Sequence, residues 1–126
     1  MTRSILDESR IHPAIRDKVA GNHDDIVREV QAAIAENAVV VVGLAWNPHV
    51  TKARRILDAA GIAHRHLEYG NYLNQWRRRN ALKMWTGWPT FPMVFVKGVL
   101  VGGADDLEKL AASGELARML GQTPNT

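Results

Sequence analysis

From Ala38 to Leu44 the chain is an unbroken apolar run built on Val39, Val40, Val41 and Val42. A run without alternation is the pattern of a strand buried on both faces, so the fold must supply a covering layer on each side. The flanking sequence supplies candidates. Before it, Asp24 to Glu36 places Ile26, Val27, Val30, Ala33 and Ile34 at helical spacing, with acids at the start where they complement the helix dipole. After it, Val50 to Ala60 predicts a second helix, with Val50, Ala53, Ile56, Leu57 and Ala60 inward, Lys52, Arg54 and Arg55 outward, and Gly61 as its stop. Ile62 to Tyr69 alternates loosely as another strand. Strand, helix and strand at this short spacing imply a right-handed crossover and parallel pairing.

The remainder extends the same plan. Asn71 to Trp85 reads as a helix with Tyr72, Leu73, Trp76, Leu82 and Trp85 as inner residues. Met93–Val96 and Val99–Val101 predict short strands around a Lys97-Gly98 hairpin turn. Ala104 to Leu120 is helical, with a candidate break at Ser113-Gly114, and a short helix from Pro13 to Val19 ends at Gly21-Asn22. The expected architecture is α/β, a four-stranded mixed sheet with helices on both faces, for which the thioredoxin-like fold is the commonest solution at this size. At 126 residues the chain has room for one such domain. Residues 1–23 are expected to be an N-terminal helical extension and residues 24–126 the domain itself.

Composition narrows the chemistry. The chain contains no cysteine, so it supplies no thiol nucleophile, no redox pair and no thiolate for zinc or an iron–sulfur cluster. The longest apolar stretch, Ala38 to Trp46, falls short of the roughly 20 residues that cross a bilayer. Acids at Asp7 and Glu8 stand where a signal peptide would be apolar, so the expectation is a cytoplasmic protein without a membrane partner. The formal charge of +3 is unevenly spread: Lys52 to Lys83 holds eight bases and two acids. A basic middle favours an anionic partner, whether a small ligand or a protein.

Three stretches carry a family resemblance: Asn47-Pro48-His49-Val50 after the first strand, Trp88-Pro89-Thr90-Phe91-Pro92 before the third, and Gly102-Gly103-Ala104-Asp105-Asp106 after the fourth. Over about Asp24 to Leu120 the chain resembles the glutaredoxins, and its Trp-Pro-Thr-Phe-Pro element looks most like the monothiol branch. In that family the first stretch is the active site, Cys-Pro-Tyr-Cys or Cys-Gly-Phe-Ser. Its leading cysteine sits where free amides and the helix dipole stabilise a thiolate. Here Asn47 stands in that place, and Val50 replaces the second cysteine or serine. Asn followed by Pro is a strong helix start, so the plain reading of Asn47-Pro48 is a cap that is inert towards disulfides.

The resemblance further implies a glutathione pocket. Phe91-Pro92 would be a cis bond preceded by Thr90, with the Phe91 main chain pairing the cysteinyl part of the ligand. Gly103, Ala104 and Asp105 would hold its γ-glutamyl end. Lys83, with Arg79 one turn earlier, would meet the carboxylate at its glycine end. The family's other usual lysine, on the first strand, is missing; Gly43, Leu44 and Ala45 occupy that region. Bland readings stand beside these: Asp105 and Asp106 as helix caps, the prolines as shapers of an edge turn, and most of Arg77, Arg78 and Arg79 as solvated charges pointing different ways around a helix. His49 stands where the family carries an aromatic, which favours a surface or stacking role over proton transfer or metal binding. His64 and His66 alternate on one strand face without a third ligand, so no metal site is expected.

The preferred reading is a glutaredoxin-like domain without redox cysteines that binds glutathione, a similar small anionic peptide or a partner, with no catalytic residue and no iron–sulfur cluster. The alternatives are an enzyme that uses bound glutathione as its thiol reagent, with His49 or Asn47 orienting it, and a basic scaffold for an acidic protein. Nucleic acid is not an expected partner, because the basic cluster comes without a reading motif.

Overall fold

A computed structural model describes residues 3–121. After a 3₁₀ turn at Glu8–Arg10 the elements run α1 (Pro13–Gly21), α2 (Asp24–Glu36), β1 (Val39–Gly43), α3 (Pro48–Ala59), β2 (Arg65–Glu68) and α4 (Trp76–Thr86). The chain continues through β3 (Met93–Val96), β4 (Val99–Gly102), α5 (Ala104–Ser113) and α6 (Glu115–Met119). The four strands form one mixed sheet in the order β2-β1-β3-β4. β1 pairs with β2 in parallel, Val40 opposite Arg65, and with β3 antiparallel, Val40 opposite Phe95.

The valine run is the middle of this sheet, and all five β1 residues are buried. Alternate valines feed two cores. Val40 and Val42 meet Ile26, Val30 and Ala33 of α2 with Ala81 and Leu82 of α4. Val39 and Val41 meet Val50, Ala53 and Leu57 of α3 with Leu107 of α5 and Leu116 of α6. A strand with a full core on either face has no polar alternation to show, which is why the run reads as continuous. Gly43 allows α3 to close on β1, because a Cβ there would collide with the Val50 side chain.

The hairpin turn lies at Lys97-Gly98, whose φ angles of 52° and 78° fit the left-handed residues that a tight β-turn needs. The last helical stretch breaks at Gly114 (φ 82°), separating α5 from α6. Two expectations are corrected. The second strand is confined to Arg65–Glu68 rather than Ile62–Tyr69. The helix expected from Asn71 starts only at Trp76, because the two asparagines close the preceding segment on itself. Asn71 N donates to Asn74 Oδ1 (3.0 Å), Leu73 N donates to Asn71 Oδ1 (2.8 Å), and Gln75 takes a left-handed backbone at φ 57°. Tyr72, Leu73 and Trp76, expected inside, are exposed; Leu82 is buried, and Trp85 packs half-buried against the core with its ring stacked on Phe95.

Among the described residues no helix is long and apolar enough to cross a membrane. Ahead of the sheet, Val19 and Ala20 of α1 stand beside Met84 and Trp85 of α4, and the Arg3 side chain lies over Gly87.

Candidate functional site

The three sequence stretches converge at one end of the sheet. Asn47 precedes α3 with extended backbone, and its Oδ1 accepts from His49 N (2.8 Å) and Val50 N (3.1 Å). These are the amides that a helix start leaves without partners, and Asn47 is itself buried. The capping reading therefore holds, and its consequence is chemical: the neutral oxygen of an amide occupies the place of greatest stabilisation for an anion. Pro48 is the first residue of the helix and exposed, whereas Val50 turns into the core.

Two cavities flank the ridge of Thr90 and Phe91, and His49 borders both. One, of about 290 Å³, is lined by His49, Trp88, Thr90, Phe91, Pro92, Gly103, Ala104, Asp105 and Asp106. The other, of about 320 Å³, is lined by Leu44, Asn47, His49, Tyr72, Arg79, Lys83, Pro89, Thr90 and Phe91. The Phe91–Pro92 peptide bond is cis. Of the three stretches, every residue except Pro48, Val50 and Gly102 borders the one groove these adjoining cavities form, as do Arg79 and Lys83. Its ends differ in sign: carboxylates at the first cavity, a guanidinium and an ammonium at the second.

At the acidic end Gly103 N donates to Asp106 Oδ2 (3.0 Å), a cap on α5 that fixes the backbone just after Gly102 at φ 111°. Asp106 is thus the cap, as the bland reading had it. Asp105 is not: its Oδ1 accepts from Lys52 Nζ at 2.8 Å, and Lys52 also reaches Glu108 at 3.2 Å. The Lys52 ammonium holds the Asp105 carboxyl below the usual carboxylate range, with a smaller contribution from His49. Trp88 Nε1 is buried beside Gly103 without a partner among the described residues.

At the basic end Arg79 is 6% exposed, not solvated as the helical-wheel argument suggested for most of this tract. Its Nη1 donates to the carbonyls of Tyr69 (2.9 Å) and Asn74 (2.6 Å), tying the end of β2 to the loop before α4. Burial pulls its pKa down, and no ion pair compensates its charge among the described residues. Arg79 is therefore first a structural residue, with its charge still bordering the cavity. Lys83 sits with Nζ 5.7 Å from the centre of the Phe91 ring. Of the other tract arginines, Arg78 pairs with Asp25 (3.0 Å), and Arg77 lies over the exposed Trp76 ring at 5.2 Å.

His64 and His66 lie outside the groove. His64 Nδ1 lies 3.2 Å from the Ile62 carbonyl, and burial lowers the pKa of His66. No group of three or more His, Cys, Asp or Glu side chains is assembled among the described residues, and without thiolates the groove has the wrong donors for an iron–sulfur cluster. Sequence reasoning missed the exposure of Trp46, Tyr72 and Trp76, of which Tyr72 borders the groove. The Asn71/Asn74 pair was the available signal for the loop that exposes Tyr72.

The sheet order and the groove at the start of α3 define a thioredoxin-like domain. Comparison makes the class specific: a family model described as Glutaredoxin matches residues 39–101. A "Glutaredoxin-like protein" of Dictyostelium discoideum is 48% identical over 94 residues, covering 75% of this chain and 76% of its own. Oxidized glutaredoxin 2 of Chlamydomonas reinhardtii superposes with a TM-score of 0.67 at 30% identity, covering 79% of this chain and 94% of its own. A buckwheat glutaredoxin–glutathione complex gives 0.69 at 25% identity, with 80% and 92% covered. The chain belongs to the glutaredoxin family.

Proposed function

We propose that this protein binds glutathione or a closely similar γ-glutamyl peptide and performs no thiol–disulfide exchange. The observation that carries the reading is the exchange of chemistry at one point of a retained groove. Asn47 Oδ1 takes the two amides at the start of α3 that a thiolate would use, while both charged ends of the groove remain. Glutathione has an ammonium and a carboxylate at one end and a carboxylate at the other. The Asp105/Asp106 end with the free amides of α5 suits the former, and Arg79 with Lys83 suits the latter. Thr90 and Phe91 lie between them, where the cysteinyl part would cross. The complex described for the buckwheat relative supports glutathione as the ligand class.

Titration calorimetry with reduced glutathione, backed by amide shifts at Asn47, Phe91, Gly103 and Ala104, tests this directly. Saturable shifts that weaken on Lys83→Ala are expected; no heat and no shifts at millimolar ligand overturn it. Glutathione-dependent reduction of a small disulfide should stay at the uncatalysed rate, and an absorbance spectrum of anaerobically purified protein should lack cluster bands.

The position of His49 on both cavities favours one second reading, an enzyme in which bound glutathione is the thiol reagent and His49 takes its proton. Addition of glutathione to an electrophile, lost on His49→Ala with binding intact, would select it over pure binding.

A further inference from the structure

Three residues that the helical pattern placed inside stand outside in the structure: Tyr72 is 60% exposed, Leu73 84% and Trp76 55%, and Trp46, on the neighbouring loop after β1, is 74% exposed. They come from the loop after β1, the loop before α4 and the first residue of α4, and the two loops are joined by the backbone: Ala45 N donates to Gly70 O at 2.8 Å. Tyr72 also lines the cavity of Arg79 and Lys83, so the surface continues from the groove's basic end.

This exposure is held in place. Trp46 has φ 64° and Gln75 φ 57°, left-handed conformations that a bulky side chain adopts only when its surroundings impose them. The loop between is fixed by the Asn71/Asn74 hydrogen bonds and by Arg79, whose guanidinium grips the Asn74 carbonyl from within. Aromatic rings and arginines in water are the side chains that carry binding energy at protein interfaces, and four large apolar side chains exposed on two neighbouring segments mark a candidate for such a site.

Charge selects the partner. Among the described residues neither Arg77, stacked over Trp76, nor Lys83 has an ion-pair partner. Across the groove Asp105 is paired with Lys52, and Asp106 accepts from Gly103 N. We propose that the rim formed by Trp46, Tyr72, Leu73, Trp76 and Arg77 docks an acidic segment of a partner protein, which seats an aromatic or aliphatic side chain among the rings. A nucleic acid fits less well: Asp25 beside Arg78 interrupts the positive track a phosphate backbone follows, and Leu73, the most exposed of the set, offers no stacking face. A second copy would bring the same positive charge against itself in a two-fold contact.

The proposal does not depend on glutathione, and its test separates the two. The probe is a fluorescein-labelled peptide of Asp-Glu pairs interleaved with Phe and Leu, titrated by anisotropy against the intact protein. Polyglutamate of equal charge and oligothymidylate serve as comparisons. Expected are micromolar binding of the probe, amide shifts at residues 46 and 72–77, and much weaker binding of polyglutamate. Trp76→Ser and Leu73→Ser should each weaken it about tenfold, and Arg77→Glu should do so with a flatter salt dependence. Unchanged amide spectra elsewhere, and an unchanged response to glutathione, would show that these variants are folded. Absence of binding, equal binding of polyglutamate, preference for oligothymidylate, or concentration-dependent dimerisation abolished by Leu73→Ser would each overturn the proposal.

Discussion

Two helices begin at the edge of the same groove, and they begin in opposite ways. α3 starts from Asn47, whose side chain takes two free amides, with Pro48 at the first helical position. α4 starts from Gln75, in a left-handed backbone and with no side-chain cap. The first is stabilised by local chemistry written in four consecutive residues. The second is held from a distance, by a buried arginine reaching back to the carbonyls of Tyr69 and Asn74. Groove chemistry and groove surface divide along the same line: the α3 start sets which groups meet the free amides, and the α4 approach sets which side chains stand exposed.

The sharpest way to break the comparison lies inside α4 itself. Leu82 is fully buried between α2 and the sheet. Leu82→Ala should lower unfolding free energy by about 2–5 kcal/mol, read from urea denaturation, because the helix is anchored by burial rather than by its cap. An effect below 1 kcal/mol would mean that this core collapses freely around the missing atoms.

Next comes the anchor. Arg79→Met keeps volume and removes the donor, leaving two loop carbonyls without it, one of them buried with Tyr69. A loss of about 1–3 kcal/mol is expected, together with faster amide exchange over residues 71–75. If exchange in that loop is unchanged, the asparagine bonds alone hold it.

This division also separates what was legible in the sequence from what was not. The sheet, the hairpin at Lys97-Gly98, the break at Gly114 and the cap at Asn47 follow from short-range rules about φ, capping and periodicity, and each stood in the residues. The start of α4 did not. Tyr72, Leu73 and Trp76 continue an apolar spacing that extends the helix on paper, and only the closed Asn71/Asn74 turn, with Arg79 gripping it from inside, turns them outward. The burial of Arg79 was hidden for the same reason, since its partners are main-chain carbonyls that no side-chain pattern reveals. The groove residues were legible through resemblance rather than periodicity: residues as far apart as His49 and Asp105 line one cavity only because the strand order brings their loops to one end.

The α3 start is broken by a single atom group. Asn47→Ala should cost about 1 kcal/mol of stability, the usual loss for an N-cap. Asn47→Cys is more informative: the new thiol would face the amides of His49 and Val50, so its pKa should fall below about 8.5, followed by thiolate absorbance. A thiol of ordinary or raised pKa would show that the α3 terminus does not offer an anion site.

The smallest effect on stability is expected at the α4 approach. Leu73 has 84% of its surface in water, so removing its apolar atoms forfeits almost no buried area. Leu73→Ser should change unfolding free energy by less than about 0.5 kcal/mol, against the several kcal/mol of Leu82→Ala in the helix that follows. Two leucines nine positions apart would then differ several-fold in what the fold asks of them. A large loss at Leu73 would mean that the loop packs more tightly in solution and that the exposed rim is not a standing surface. A neutral result leaves the residue free of any folding role.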